Sequence, residues 1–151
     1  MRCITINSIP LKKINEKSRY TNVKRRSYME IINFTKMQGT GNDFIVIEDL
    51  EEKYNDLGVL AKKLCDRHYG IGADGILVVR KSTIADIRMI IMNADGSYAS
   101  MCGNGIRCFA KYIFEKKYIL GENIKIETGD GVKLASISVC DGRSEEHTSE
   151  L

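Results

Sequence analysis

No stretch of this 151-residue sequence comes near the roughly 18 uncharged apolar residues that a helix needs to cross a bilayer. Nor does the N-terminus carry the long apolar block that opens a secretory signal. These absences argue against a membrane-spanning helix and a signal-led secreted protein, so a soluble, cytoplasmic protein is expected. Close cysteine pairs are missing too. The five cysteines are odd in number and lack the spacing of a disulfide scaffold, which leaves free thiols in a reducing compartment, available to chemistry. There is no internal repeat. At 43% apolar content the length suits one globular domain.

Positive charge is present but localised. Residues 1–28 hold eight Lys/Arg against the single acid Glu16, a net +7 within a whole-chain charge of +3. The last nine residues, RSEEHTSEL, carry −2, and the body between them is mildly acidic. The basic segment has no core-forming period and precedes a second plausible start at Met29. A mistaken upstream start, a native flexible arm and an organelle-targeting presequence are its three readings. The polar, patternless tail reads like the translation of a sequencing-library adapter and is set apart as non-native. Three regions follow: an extension over residues 1–28, disordered or non-native; a domain over residues 29–142; and a tail over residues 143–151.

The domain reads as α plus β. Residues 31–37 and 44–48 form two strands around the glycine-bearing turn 38–43. Leu57, Leu60, Ala61 and Leu64 recur at helical spacing after a cap at Asn55 or Asp56, with Gly70 placed to end the helix. Residues 76–79, 84–92 and 124–128 are further strands. A return strand begins at Val132 after the turn Gly129-Asp130-Gly131, and its apolar set shifts from Val132/Leu134 to Ile137/Val139, predicting a bulge near Ala135-Ser136. Ile106, Phe109, Ala110 and Ile113 form a helical stripe directly after Cys102-Gly103-Asn104-Gly105.

Cys102 therefore stands at a helix N-terminus, among unpaired N–H groups and the positive end of the helix dipole, an environment that favours thiolate. Such a thiol can act as a base, although free cysteines are also common as inert core residues. Gly103 and Gly105 let backbone approach a ligand, and the N–H groups of Gly103 and Asn104 form an anion site suited to a carboxylate. Asn93 ends a strand just before this loop, and its side chain either faces the same pocket or serves the turn Asn93-Ala94-Asp95-Gly96-Ser97. Asn42, in the glycine-rich turn, has the same two readings. Gly70, Gly72 and Gly75 satisfy G-x-G-x-x-G but follow a helix and precede a strand, the reverse of a dinucleotide site. Cys65 and His68 are one turn apart without further ligands, and Cys102 and Cys108 lack zinc-knuckle spacing, so no metal is expected. Cys65 and Cys108 read as packed thiols. Cys3 and Cys140 have no supporting context.

Four segments, KMQGTGNDF at 36–44, DRHYGIGADG at 66–75, NADGS at 93–97 and MCGNGIRC at 101–108, together resemble the N-terminal half of the diaminopimelate epimerases, from about Met29 to about Cys140. The resemblance implies an α+β fold with a mixed, largely antiparallel sheet wrapped around a central helix, one of two pseudo-symmetric domains. It also implies interconversion of LL- and meso-diaminopimelate by two cysteines without cofactor or metal, in an enzyme of lysine and peptidoglycan precursor biosynthesis, homodimeric when complete. On this resemblance Cys102 is the first catalytic cysteine. Asn42 and Asn93 bind substrate, and Gly103 and Asn104 hold its carboxylate through backbone N–H groups. Some relatives carry Gln where this chain has Gly75, so no contact is assigned there.

Inversion at carbon needs a base on one face and an acid on the other. The family's second cysteine, in an alanine-cysteine-glycine context, has no counterpart after Ser138, and Cys140 does not match it, so the chain alone is expected to be inactive. Proline racemases share the broader fold, but resemble a cysteine-glycine-histidine pattern where this chain has Cys102-Gly103-Asn104. A non-catalytic truncated domain and a proline-racemase-like fragment are the alternatives. Nucleic-acid binding through residues 1–28 lacks the aromatic interleaving of single-strand platforms, so neither nucleic acid nor membrane is expected as a partner.

Overall fold

A computed structural model of the chain describes the backbone of residues 3–4, 9–11, 30–140 and 143–150, with side chains across residues 31–137. In chain order its elements are β1 (Cys3–Ile4), β2 (Ile9–Leu11), β3 (Glu30–Ile32), β4 (Thr35–Gly39), β5 (Asn42–Glu48), α1 (Leu57–Cys65), β6 (Gly75–Arg80), β7 (Ile87–Asn93), β8 (Tyr98–Ala99), α2 (Gly103–Glu115), β9 (Asn123–Thr128), β10 (Gly131–Cys140) and β11 (Arg143–Glu150). Among the described residues nine strands form one sheet, in the order β1-β4-β5-β6-β7-β9-β10-β11 with β8 on β7, and β2 pairs β3 separately. Two pairs, β5 with β6 and β7 with β9, are parallel, and the rest are antiparallel. The mixed α+β architecture expected from the sequence is the one observed.

The central strands read as unbroken apolar runs because both faces of the sheet are covered. On one face Phe44, Val46, Leu77, Val79, Met89 and Ile91 pack with Ile106, Phe109 and Ile113 of α2. On the other, Ile45, Ile47, Ile76, Val78 and Ile90 pack with Leu60, Ala61 and Leu64 of α1. Helix α2 touches β4, β5, β7, β10 and β11, so the sheet curls around it from both sides. Full burial of each Val, Leu, Ile, Met or Phe side chain among these contributes about 1.5–3 kcal/mol. Helix α1 starts at Asp56, whose carboxylate accepts the Val59 N–H at 2.9 Å, and ends with Lys62 and Lys63 at the negative pole of its dipole.

Five local expectations are corrected. The single strand over residues 31–37 is two, because the chain changes partners: β3 pairs β2, while β4 pairs β5. The following turn is shorter than 38–43; only Thr40 and Gly41 lie outside the strands, with φ of 51° and 86°, the two positive values of a type I′ hairpin turn. Asn42 therefore belongs to β5. Gly70 does not end α1, which stops at Cys65. A Cβ there would lie 2.3 Å from the Lys63 carbonyl oxygen and 2.7 Å from that of Leu64, so Gly70 is demanded by close backbone approach. Strand β7 starts at Ile87 because the Ser82 hydroxyl accepts the N–H groups of Ile84 and Ala85 at 3.1 and 2.9 Å, holding them in a bend. No bulge interrupts β9–β10, whose register runs continuously from Gly131↔Thr128 to Ser136↔Asn123. The inward face of β10 is Lys133, Ala135 and Ile137. Lys133 buries its stem and meets Asp130 at 3.1 Å, which disguises the alternation.

Within the 1–28 extension β1 pairs β4 and β2 pairs β3; its remaining residues and the boundary at Met29 lie outside the described residues. The backbone of residues 143–150, within the segment set apart as a tail, runs as β11 along β10. Among the described residues no helix is long and apolar enough to cross a membrane.

Candidate active site

Cys102 is the N-cap of α2. Its backbone is extended (φ −148°, ψ 118°), its carbonyl accepts the Ile106 N–H at 2.9 Å, and its Sγ accepts the Gly105 N–H at 3.4 Å. Sulfur thus stands where a serine or aspartate oxygen commonly caps a helix. A Cβ on Gly105 would come within 3.3 Å of both Cys102 Cβ and Leu77 Cδ2, so glycine lets the helix start rest on the sheet. Gly103 is the opposite case, because a Cβ there would meet nothing within 4 Å. Space lies open in front of the first turn, where N–H groups lack intrahelical acceptors.

The strand ends below this turn carry the two asparagines. Side chains alternate along a strand, so Asn42 shares the α2-facing side of β5 with Phe44 and Val46, and Asn93 shares that of β7 with Met89 and Ile91. Pairing of Phe44 with Gly75 and of Gly75 with Asn93 puts them on strands joined through β6. Asn42 Oδ1 is buried with no hydrogen-bond donor near it, and a carbonyl in that state costs about 1–3 kcal/mol unless a ligand supplies the donor. Asn93 serves the turn as well as the face: its Nδ2 donates to Ser97 Oγ at 2.9 Å and its N–H to the Ser97 carbonyl at 2.8 Å. Asn104 is held from the β4–β5 turn, where the Thr40 hydroxyl donates to its Oδ1 at 2.8 Å. Gly75 faces a neighbouring strand, because a Cβ would sit 2.7 Å from the Met92 carbonyl oxygen.

One charged cluster beside Asn42 falls within the sequence motifs without a role that they assign. Arg67 Nη2 meets Asp43 Oδ1 and Asp74 Oδ1, each at 2.8 Å, and Lys36 meets Asp43 at 3.1 Å. Asp43 and Asp74 also accept each other's backbone N–H groups. The Arg67 guanidinium, then Lys36, holds the Asp43 carboxyl far below the usual carboxylate range against the opposing effect of burial. The network ties the exit of α1 to the hairpin that presents Asn42. The opposite signs at 36, 43, 67 and 74 were visible, but their meeting was not. Cys65, within reach of these charges, is buried and its thiol pushed up to about 11, by desolvation first. It is a core thiol, as is Cys108.

A cleft of about 450 Å³ lies at the other end of α2, among Thr35, Glu48, Tyr112 and Lys116. There the Tyr112 hydroxyl donates to Glu48 at 2.5 Å, and burial with the Glu48 carboxylate pushes Tyr118 up to about 12. None of the candidate residues lines this cleft. Among the described residues no group of three or more His, Cys, Asp or Glu side chains is arranged to hold a metal ion.

Known proteins resemble the chain in sequence and in fold. The diaminopimelate epimerase family model matches residues 34–149. The diaminopimelate epimerase of Clostridium perfringens is 60% identical over 101 residues, covering 66% of this chain and 37% of that protein. That of Caldanaerobacter subterraneus is 58% identical over 110 residues, covering 73% and 39%. The chain thus spans about two fifths of the length of these curated relatives. Among solved structures, a PhzF-family phenazine biosynthesis protein from Bacillus anthracis superposes with a TM-score of 0.62 at 22% identity, covering 77% of this chain and 39% of that one. A probable proline racemase from Agrobacterium radiobacter K84 gives 0.60 at 17%, covering 74% and 39%. At these identities the structural likeness speaks to the fold, and the sequence matches over most of the described domain speak to the family: the chain belongs to the diaminopimelate epimerase family.

Proposed function

We propose that this chain is the N-terminal domain of a cofactor-independent isomerase that interconverts LL- and meso-diaminopimelate in the cytoplasm, for lysine and peptidoglycan precursor synthesis, with Cys102 as one of two catalytic cysteines. The observation that carries the reading is a half-exposed thiol capping α2 next to open space, above a sheet face bearing Asn42 and Asn93. In the proposed reaction Cys102 Sγ, as thiolate, takes the proton from the substrate α-carbon. The electron pair left on carbon spreads into the adjacent carboxylate, whose oxygens accept the N–H groups of Gly103 and Asn104. A thiol on the opposite face, supplied by a second domain, delivers a proton and leaves the inverted centre; the reverse reaction exchanges the two roles.

The names and 58–60% identities of the relatives support the substrate. The Asn104 that follows Cys102-Gly103 supports an epimerase over a racemase of the proline type. The test is exchange of the substrate α-proton with solvent deuterium, followed by NMR on LL-diaminopimelate under reducing conditions. The 151-residue chain should show negligible epimerisation. The chain extended with a relative's second domain should be active, and Cys102→Ala should abolish its turnover. Full turnover by the 151-residue chain, or an active Cys102→Ala in the extended one, would overturn the two-thiol assignment.

A further inference from the structure

Thr40 stands in a backbone conformation that its side chain disfavours. Its φ is 51°, in the left-handed region where a β-branched residue is an outlier and where type I′ turns take Asn, Asp or Gly. The residue beside it, Gly41, has φ 86° with room for a side chain, and its N–H donates to Gln38 Oε1 at 3.2 Å, a contact that stays within the hairpin. The Thr40 hydroxyl, however, donates to Asn104 Oδ1 at 2.8 Å across 64 positions of sequence. A strained residue persists where its surroundings over-determine it, and here, beside the contacts within the hairpin, one contact reaches the first turn of α2.

We infer that Thr40 is a positioning residue: its hydroxyl pins the Asn104 side chain and thereby orders the helix start that carries Cys102 and the open N–H groups of Gly103 and Asn104. The inference rests on the proposed function for its catalytic meaning, but its physical content does not need a substrate. The β4–β5 turn would then serve the site twice, presenting Asn42 from one end and clamping α2 from Thr40. An asparagine or glycine would relax the backbone there without reproducing this donor geometry.

The experiment is residue-resolved amide hydrogen exchange by NMR on the 151-residue chain and three variants, with thermal unfolding measured in parallel. Exchange is read at Gly105 N–H, bonded to Cys102 Sγ, and at Ile106 N–H, bonded to the Cys102 carbonyl. Thr40→Val, which keeps the shape and the strain but loses the donor, should speed both by at least about threefold and leave mid-helix amides unchanged. Thr40→Ser should restore the parent rates. Thr40→Gly relieves the strain, so its unfolding temperature should not fall, yet both amides should exchange as fast as in Thr40→Val. Parent-like rates in Thr40→Val, or slower exchange in Thr40→Gly, would overturn the inference. An inactive extended chain with the accelerated exchange intact would count against the epimerase reading alone.

Discussion

Arg67 grips Asp43 with both terminal nitrogens, at 2.8 and 3.2 Å, across 24 positions of sequence. The same Nη2 reaches Asp74 at 2.8 Å, so one guanidinium joins the end of α1, the β4–β5 hairpin and the entry to β6.

Asp43→Asn tests that junction. The Asp43 carboxyl titrates below its unfolded value of about 4, so its contribution is complete above about pH 4 and disappears as pH falls through the depressed folded value. At pH 7 the substitution should cost about 1 kcal/mol, the low end for bonds to charged groups, because Arg67 is half exposed and water screens the pair. Urea midpoints of parent and variant should stay separated at pH 7 and 5 and converge at lower pH. A gap that persists unchanged in strong acid would show that the ion pair is not its source.

Thiol reactivity separates the cysteines. Burial pushes the Cys65 thiol up to about 11, so near pH 8 it stays almost wholly in the unreactive thiol form. Cys108 is buried, and Cys102 is half exposed. Iodoacetamide followed by peptide mapping should therefore label Cys102 well before Cys65 in the folded protein, and all sites should converge in urea. Early labelling of Cys65 would mean that α1 does not pack as described.

Gly70 and Gly103 should behave oppositely on substitution. Gly70→Ala drives a methyl into three backbone carbonyls and should cost about 1–3 kcal/mol. Gly103→Ala enters open space at an ordinary helical position and should keep stability within about 1 kcal/mol. In an active extended chain, however, it should cut turnover by about tenfold or more by obstructing the reacting carbon. Calorimetry and the proton-exchange assay check the two halves, and a stable, fully active Gly103→Ala would remove that space from the site.

Cys102→Ser divides capping from chemistry. Serine is among the best N-cap residues, so the variant should unfold at or above the parent temperature. A hydroxyl is far harder to ionise than a thiol, so proton exchange in the extended chain should fall to a trace. A variant that is both destabilised and active would contradict the two roles given to Sγ.

Local chemistry in the sequence determined a good deal. The stripe Ile106, Phe109, Ala110, Ile113 and the glycines before it identify a helix with Cys102 at its start, because a cap and its helix lie within a few residues of each other. Asp56 was one of two capping candidates for the same reason, and the β-rich runs over residues 76–79 and 84–92 identified the strands β6 and β7. Where local spacing misled, a partner elsewhere was responsible. Lys133 faces inward because Asp130 receives its ammonium group, and the run from Ile31 divides because β2 and β5 claim different parts of it. Only the tertiary structure decided that Thr40 meets Asn104, that Arg67 joins Asp43 to Asp74, and that Asn42 keeps a buried carbonyl unpaired. The two long-range contacts span 64 and 24 positions. They depend on how the hairpin, the helices and the sheet stack, and residue spacing within any one element does not encode that.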